Sequence, residues 1–292
     1  MQTLDALQFA HALTRKETAH KGDCGKVLLV GGATSMAGAL TLSARASLHS
    51  GAGWTVLMMF DSACAHLISE QPELMVHDAC TTTPEQALSS ITPDVIAIGP
   101  GLGQGANAKA WLGTCLNWHG PLIIDADALN LLASHADLLE DLRGRTQATT
   151  LTPHPGEAAR LLSRSVQAVQ LDRQQAIMDL VDLAHCSVVL KGHHTLLLEP
   201  LGEIHQCAQG NPGMAVGGMG DVLTGCIAAL TAQGVKHSLS LWQATCLGVQ
   251  VHAMAADSML QDGTGPIGMT PSELILYIRK ILNQSLALMP AE

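Results

Sequence analysis

Aromatic side chains are scarce in this sequence: four Trp, two Phe and one Tyr in 292 residues. The apolar fraction is nonetheless 47%, so the core must be built from aliphatic and small residues, which suits close packing of helices on a sheet. Positive charge is also in short supply. With 15 Lys and Arg against 25 Asp and Glu, the formal charge is −10, and the clustered cations that displace counterions from nucleic acid or an anionic membrane are lacking. Neither a nucleic-acid nor a membrane partner is expected. The eight cysteines, Cys24, Cys64, Cys80, Cys115, Cys186, Cys207, Cys226 and Cys246, include no C-x-x-C pair and no Cys/His zinc spacing. The N-terminal MQTLDALQFAHALTRKE lacks the basic start and apolar core of a signal peptide. Reduced thiols and a cytoplasmic location are therefore expected. There is no G-x-x-x-x-G-K-[ST] phosphate loop, and VLLVGGATSMAG misses the G-x-G-x-x-G spacing, which disfavours a P-loop NTPase and an ordinary NAD dehydrogenase.

What is present is a regular alternation. Short apolar runs that end in glycine, aspartate or another polar loop are separated by longer helical patterns, as in β-α-β units around a mostly parallel sheet. The runs are Lys26–Val30, Trp54–Met59, Val95–Ile98, Leu122–Ile124, Thr149–Leu151 and Ser187–Leu190. Helices are expected over 38–50, 107–118, 155–162, 166–183, 218–232 and 239–258. A closing helix should start after Thr270, where Pro271 and Glu273 supply capping signals. The uncharged stretch Val27 to Ala44 approaches the length of a membrane span, but its central GGATSMAG reads as strand, glycine turn and helix. No linker or repeat interrupts the pattern, so one domain over 1–292 is expected, of the α/β class with ligands at the carboxyl ends of the strands.

The loops at those strand ends carry the chemistry. In GNPGMAVGGMGDVLTG, Gly210 to Gly225, Asp221 falls in the first turn of a helix whose free N–H groups welcome an anion. VVLKGHHT places Lys191 at the end of a buried strand, facing a phosphate or merely solvent. GPGLG, 99 to 103, allows close backbone contact with a ligand, and in TPHPGE two prolines stiffen the backbone on either side of His154. Each feature alone has an ordinary structural reading as a turn, a cap or a solvated side chain. Together a base, an anion hole and a cation make up the parts of phosphoryl transfer.

In this order the strings HKGDCGKVLLVGG, HSGAGWTVL, PELMVH, IAIGPGLG, DADALNLL, LTPHPGEAARLL, VVLKG and GNPGMAVGGMGDVLTG resemble the ADP- or ATP-dependent NAD(P)H-hydrate dehydratases, from about His20 to the last helix. The resemblance implies a three-layer α/β/α ribokinase-like fold and the repair of NADHX and NADPHX, the hydrated nicotinamide cofactors. The S epimer would be converted to NAD(P)H with ADP yielding AMP and phosphate, or ATP yielding ADP. It implies Asp221 as general base on the hydrate hydroxyl, a hydrate site at Ala39, Gly101 or Gly103, His154 and Asp221, and a nucleotide site at Lys191, Gly192, His193, His194, Thr195, Gly218 and Gly220. It also implies Mg2+ on the nucleotide phosphates, a homo-oligomer, specifically a tetramer, and a separate epimerase acting on the R hydrate, since the fused epimerase domain of many relatives is not expected here. Two departures stand out: His193 and His194 where related sequences have small residues after Lys-Gly, and Val216 in place of a small polar residue. A ribokinase-like vitamin or pyrimidine kinase and an inactive nucleotide-binding regulator are the competing readings.

Overall fold

The strands that carry most of the core are short, aliphatic and buried on both faces, which is what a parallel sheet covered on each side by helices requires. The structure, a computed structural model, describes residues 1–63 and 71–287, so Cys64 lies outside the described residues. Ten strands, β1 (Gln2–Thr3), β2 (Lys26–Gly31), β3 (Trp54–Met59), β4 (Met75–Asp78), β5 (Val95–Ile98), β6 (Leu122–Ile124), β7 (Thr149–Leu151), β8 (Ser187–Leu190), β9 (Leu196–Leu198) and β10 (His205–Gln206), form one sheet. Its order is β1-β10-β9-β8-β7-β6-β5-β2-β3-β4. Every pairing from β8 across to β4 is parallel, while β9 runs antiparallel to both β8 and β10.

The period of two splits each strand between two cores. Val27, Leu29, Leu57, Val95, Ala97 and Ile123 face one side, where α1 (Ala37–His49), α9 (Met219–His237), α10 (Leu241–Gln261) and α11 (Pro271–Ala287) pack. Leu28, Val30, Val56, Ile96, Ile98 and Ile124 face the other. There they meet α2 (Pro84–Ile91), α3 (Ala106–Asn117), α4 (Ala126–Ser134), α5 (Ala136–Gly144), α6 (Pro155–Leu161), α7 (Val166–Leu171) and α8 (Arg173–Ala184). The result is the expected three-layer α/β/α arrangement. All six expected strands are present, five with the expected bounds and β2 one residue longer.

One expected helix is corrected. The stretch 166–183 is two helices, because Asp172 leaves the helical region at φ −138°, ψ 80° and its carboxylate accepts from Gln175 N at the start of α8. The closing helix begins as expected: the Thr270 N–H and Oγ1–H donate to Glu273 Oε2, and the Glu273 N–H donates back to Thr270 Oγ1. Seven cysteines are described and all are free. Among the described residues no helix is long and apolar enough to cross a membrane; Val27 to Ala44 is β2, a turn and the start of α1.

Helices α1 and α9 cross with their backbones in close contact. A Cβ on Gly225 would lie 1.9 Å from the Ser43 carbonyl oxygen, so only glycine lets these backbones approach, and Ser43 Oγ donates to Asp221 O at 2.7 Å.

Candidate active site

The carboxyl ends of β6, β7 and β8 and the amino end of α9 converge on a cavity of about 720 Å3. At its floor, Lys191 leaves the last residue of β8 with its Nζ 2.7 Å from Asp125 Oδ1 and 3.9 Å from Glu157 Oε2. Asp125 is 1% exposed. Its second oxygen accepts from Thr224 Oγ1 at 2.8 Å, so one carboxylate ties the end of β6 to both the lysine and the first turns of α9. Burial pulls the Lys191 ammonium down, but Asp125, Glu157 and Asp221 outweigh it and its proton is held more firmly than usual.

Above the lysine, α9 starts at Gly218, where φ is 97° and no side chain caps the first N–H groups. A Cβ on Gly220 would touch Lys191 Nζ at 3.1 Å. The ammonium and the uncapped helix start therefore face the same space, and both favour an anion there. The half-buried Asp221 sits in this turn, its carboxyl pushed up to about 7 by burial first and then by Asp125, against the pull of Lys191. Glu157 is also raised, by burial. Three carboxylates around one ammonium cannot all be charged without mutual repulsion, so the cluster retains protons near neutrality.

His154 caps α6: its Nδ1 accepts from Gly156 N at 2.9 Å, and its backbone N–H donates to Glu157 Oε2 at 2.8 Å. With Nδ1 an acceptor, Nε2–H points to Glu157 Oε1 at 3.2 Å. Burial, Lys191 and Arg160 lower its pKa against the opposing Asp125, which keeps the ring neutral and the tautomer fixed.

The structure thus brings Lys191, Gly192, His193, His194, Thr195, Gly218, Gly220, Asp221 and His154 around one cavity. Ala39, Gly101 and Gly103 are not in its lining. They form a neighbouring ledge: Ala33 N donates to Gly101 O at 2.6 Å, a Cβ on Gly101 would lie 2.6 Å from Met36 O, and Ala39 N donates to Met36 O at 3.1 Å. Asp127 joins ledge and cavity, since its Oδ2 accepts from Gly103 N at 2.9 Å and its charge acts on Asp221. The exposed His193 and the half-buried His194 stack with centroids 3.9 Å apart along the cavity wall. Val216, exposed, also lines it.

Sequence reasoning gave no role to Asp125, although it opens the quoted DADALN, or to Glu157. Asp125 was readable as an acid at a strand end, and Glu157 as one in the first turn of a helix. His252 was missed altogether: buried on α10, pushed down to about 4 by burial and therefore neutral, it donates Nε2–H to Met219 O at 3.0 Å and steadies the start of α9. A histidine inside a long apolar helix gives no hint of this. Arg173, discussed below, was missed too.

Comparison with known proteins covers nearly the same span. A curated bifunctional NAD(P)H-hydrate repair enzyme of Coxiella burnetii is 40% identical over 92% of this chain, which spans only 52% of that protein. The chain spans about half the length of the bifunctional relatives it matches, 52–53% for those of Escherichia coli and Leishmania major too. The ADP-dependent (S)-NAD(P)H-hydrate dehydratase of Neisseria meningitidis is 37% identical over 96% of this chain and 92% of its own. Among solved structures, an ADP/ATP-dependent NAD(P)H-hydrate dehydratase of Bacillus subtilis, co-crystallised with ATP and Mg2+, superposes with a TM-score of 0.81 at 26% identity, over 97% of this chain and 98% of that one. A ribokinase-like superfamily protein of Enterococcus faecalis matches with the same score at 27% identity, over 98% and 96%. The fold is therefore the ribokinase-like one. With the family model matching residues 27–280, the chain belongs to the NAD(P)H-hydrate dehydratase family.

Proposed function

We propose that the protein dehydrates the S epimers of NADHX and NADPHX, using ADP as phosphoryl donor and releasing AMP and phosphate. The observation that carries this reading is Asp221: a carboxylate held near pKa 7 in the uncapped first turn of α9, beside the Lys191 ammonium. Such a group accepts a proton at neutral pH without being permanently bound to a cation.

In the proposed reaction Asp221 takes the hydroxyl proton of the hydrate as that oxygen attacks the terminal phosphorus of the nucleotide. The bond to the bridging oxygen breaks and AMP leaves with its electron pair. The first-turn N–H groups of 218–220 and Lys191 hold the charge on the transferring group. Phosphate then departs with the carbon–oxygen pair, assisted by the ring nitrogen lone pair, and loss of a ring proton restores the dihydronicotinamide. The hydrate would lie on the ledge of Ala39, Gly101 and Gly103 and reach His154; the nucleotide would lie along 191–195, Gly218 and Gly220. With ATP the spent nucleotide would be ADP.

Among the described residues no three His, Cys, Asp or Glu side chains form a metal cage. Magnesium does not need one, because it keeps several waters and binds through phosphates and one or two carboxylates. The excess of carboxylates over cations here fits such an ion, whose water shell one or two of them, Glu157 or Asp221, would hold while it neutralises the phosphates. A single domain, a homotetramer, a cytoplasmic location and a separate epimerase feeding the S hydrate complete the reading. Light scattering tests the tetramer.

The test mixes protein, Mg2+, S-NADHX and either ADP or ATP, and follows NADH absorbance, with Asp221→Asn as control. Nucleotide-dependent recovery that the variant lacks supports the proposal. A stable phosphorylated product would instead indicate a kinase, and nucleotide binding without turnover a regulator.

A further inference from the structure

Arg173 occupies the first position of α8, the end of a helix where a cation is electrostatically disfavoured. Nor does it form an ion pair with any described carboxylate. Instead its guanidinium reaches across to the chain segment after β8. Nη1 donates to His193 O and, at 3.2 Å, to His194 O; Nη2 donates to Leu190 O at 3.0 Å and Lys191 O at 3.4 Å. The remaining donor, Nε, is enclosed and has no partner among the described residues. Burial lowers the pKa of this arginine, though it stays charged.

Four consecutive-to-near carbonyls converging on one planar fork is an arrangement that lysine cannot reproduce, since its ammonium is a single point with three donors. The segment needs such an anchor. Gly192 has φ of 139° and His194 φ of 52°, both outside the usual range for L-residues, and a Cβ on Gly192 would come 3.3 Å from Arg173 Nη2. Glycine accepts its conformation freely, but at His194 local backbone preference opposes the turn. With its carbonyls turned towards Arg173, the Lys191 ammonium and the two stacked imidazoles are presented to the cavity.

We propose that Arg173 is the positioning residue of the nucleotide site: it fixes the segment 190–194 through the carbonyls of Leu190, Lys191, His193 and His194, so that nucleotide affinity depends on a side chain that does not line the cavity. This rests on the nucleotide reading given above. It also accounts for two bulky histidines in this loop, because the clamp grips backbone and leaves the side chains to stack outward.

The test measures ADP binding by calorimetry without any hydrate, so it stands whether or not dehydration is the reaction, and measures Tm and steady-state kinetics beside it. Arg173→Met should weaken ADP binding about tenfold or more and raise the nucleotide KM in parallel, while kcat at saturating nucleotide stays within about threefold. Arg173→Lys should fall between Met and wild type, and added guanidinium ion at low millimolar concentration should restore part of the affinity in Met but not in Lys. Lys is the variant to be read if Met does not fold. An unchanged ADP affinity in folded variants, with only Tm reduced, would overturn the proposal by assigning Arg173 to fold stability. A loss of kcat with affinity kept would overturn it equally.

Discussion

The two glycine loops at strand ends, 99–103 after β5 and 191–195 after β8, are held in opposite ways. The first is wedged by backbone: Gly32 and Ala33 donate to Pro100 O and Gly101 O, Met36 O leaves no room for a Cβ on Gly101, and one carboxylate, Asp127, takes Gly103 N. The second is gripped by side-chain charge, with Arg173 on its carbonyls and Asp125 on its lysine. A surface made of backbone gives shape and little field, which suits a largely neutral ring. A charged and buried cluster gives field, which suits phosphates. Under the proposed function the loops would divide ligand recognition between contact and electrostatics.

The variants that break this division can be ordered by size. Asp221→Asn removes the proposed base where the two halves meet and should cut turnover by about 10²–10⁴-fold. The same variant should raise Tm at pH 8, because the native state then no longer confines a desolvated carboxylate. Differential scanning calorimetry beside the NADH assay checks both signs at once, and a lowered Tm would contradict the burial argument.

Lys191→Met comes next, with a loss of about 10²-fold from the missing cation. Since Lys191 pulls the Asp221 pKa down, its removal should also move the acidic limb of the kcat/KM profile to higher pH. A limb that stays in place would mean that another group titrates.

Gly101→Ala should act on the other loop only. The added Cβ meets Met36 O at 2.6 Å with φ of 59°, at a cost of about 1–3 kcal/mol in backbone strain. Hydrate KM should rise about tenfold while ADP affinity by calorimetry is untouched. A matched loss in both would show that the halves are coupled.

The smallest effect is that of pH on the unmodified protein. Asp221 ionises in the fold near 7 instead of 3.8, so the folded state binds the extra proton between those values. Its stability contribution is present at low pH and disappears as pH rises to about 7, and the raised Glu157 has the same sign. Activity runs the other way, since the base must be ionised. Tm and kcat/KM should therefore cross in opposite directions as pH rises from about 5 to 8.

Much of this was legible in the sequence for a physical reason. β2, β3, β5, β6, β7 and β8 are buried on both faces, so their apolar runs are unbroken. Four strands were not seen: the edge strands β4, which reads MVHD and is half-exposed, and β1, with two residues, then the two-residue β10 and the buried three-residue β9. The helices α2, α4 and α5 went unread, α2 although Thr83 and Gln86 cap it reciprocally. Asp221 and Lys191 were legible because they end or begin elements beside glycine. Arg173 was not, because it acts through carbonyls that any sequence would supply; the one trace it leaves is a cation at the wrong end of a helix.

The contact between Gly225 and Ser43 has a kinetic meaning. Helix α1 carries Ala39 on the ledge, and α9 carries Asp221, and where they cross the backbones touch with no side chain between them. In the proposed reaction the spacing between the hydrate's hydroxyl and Asp221 would then be built in during folding, before either ligand arrives, with no entropy lost at binding to establish it. Bulk added at residue 225, a full turn from Asp221, would register as a slower chemical step in a protein whose ligands all still bind.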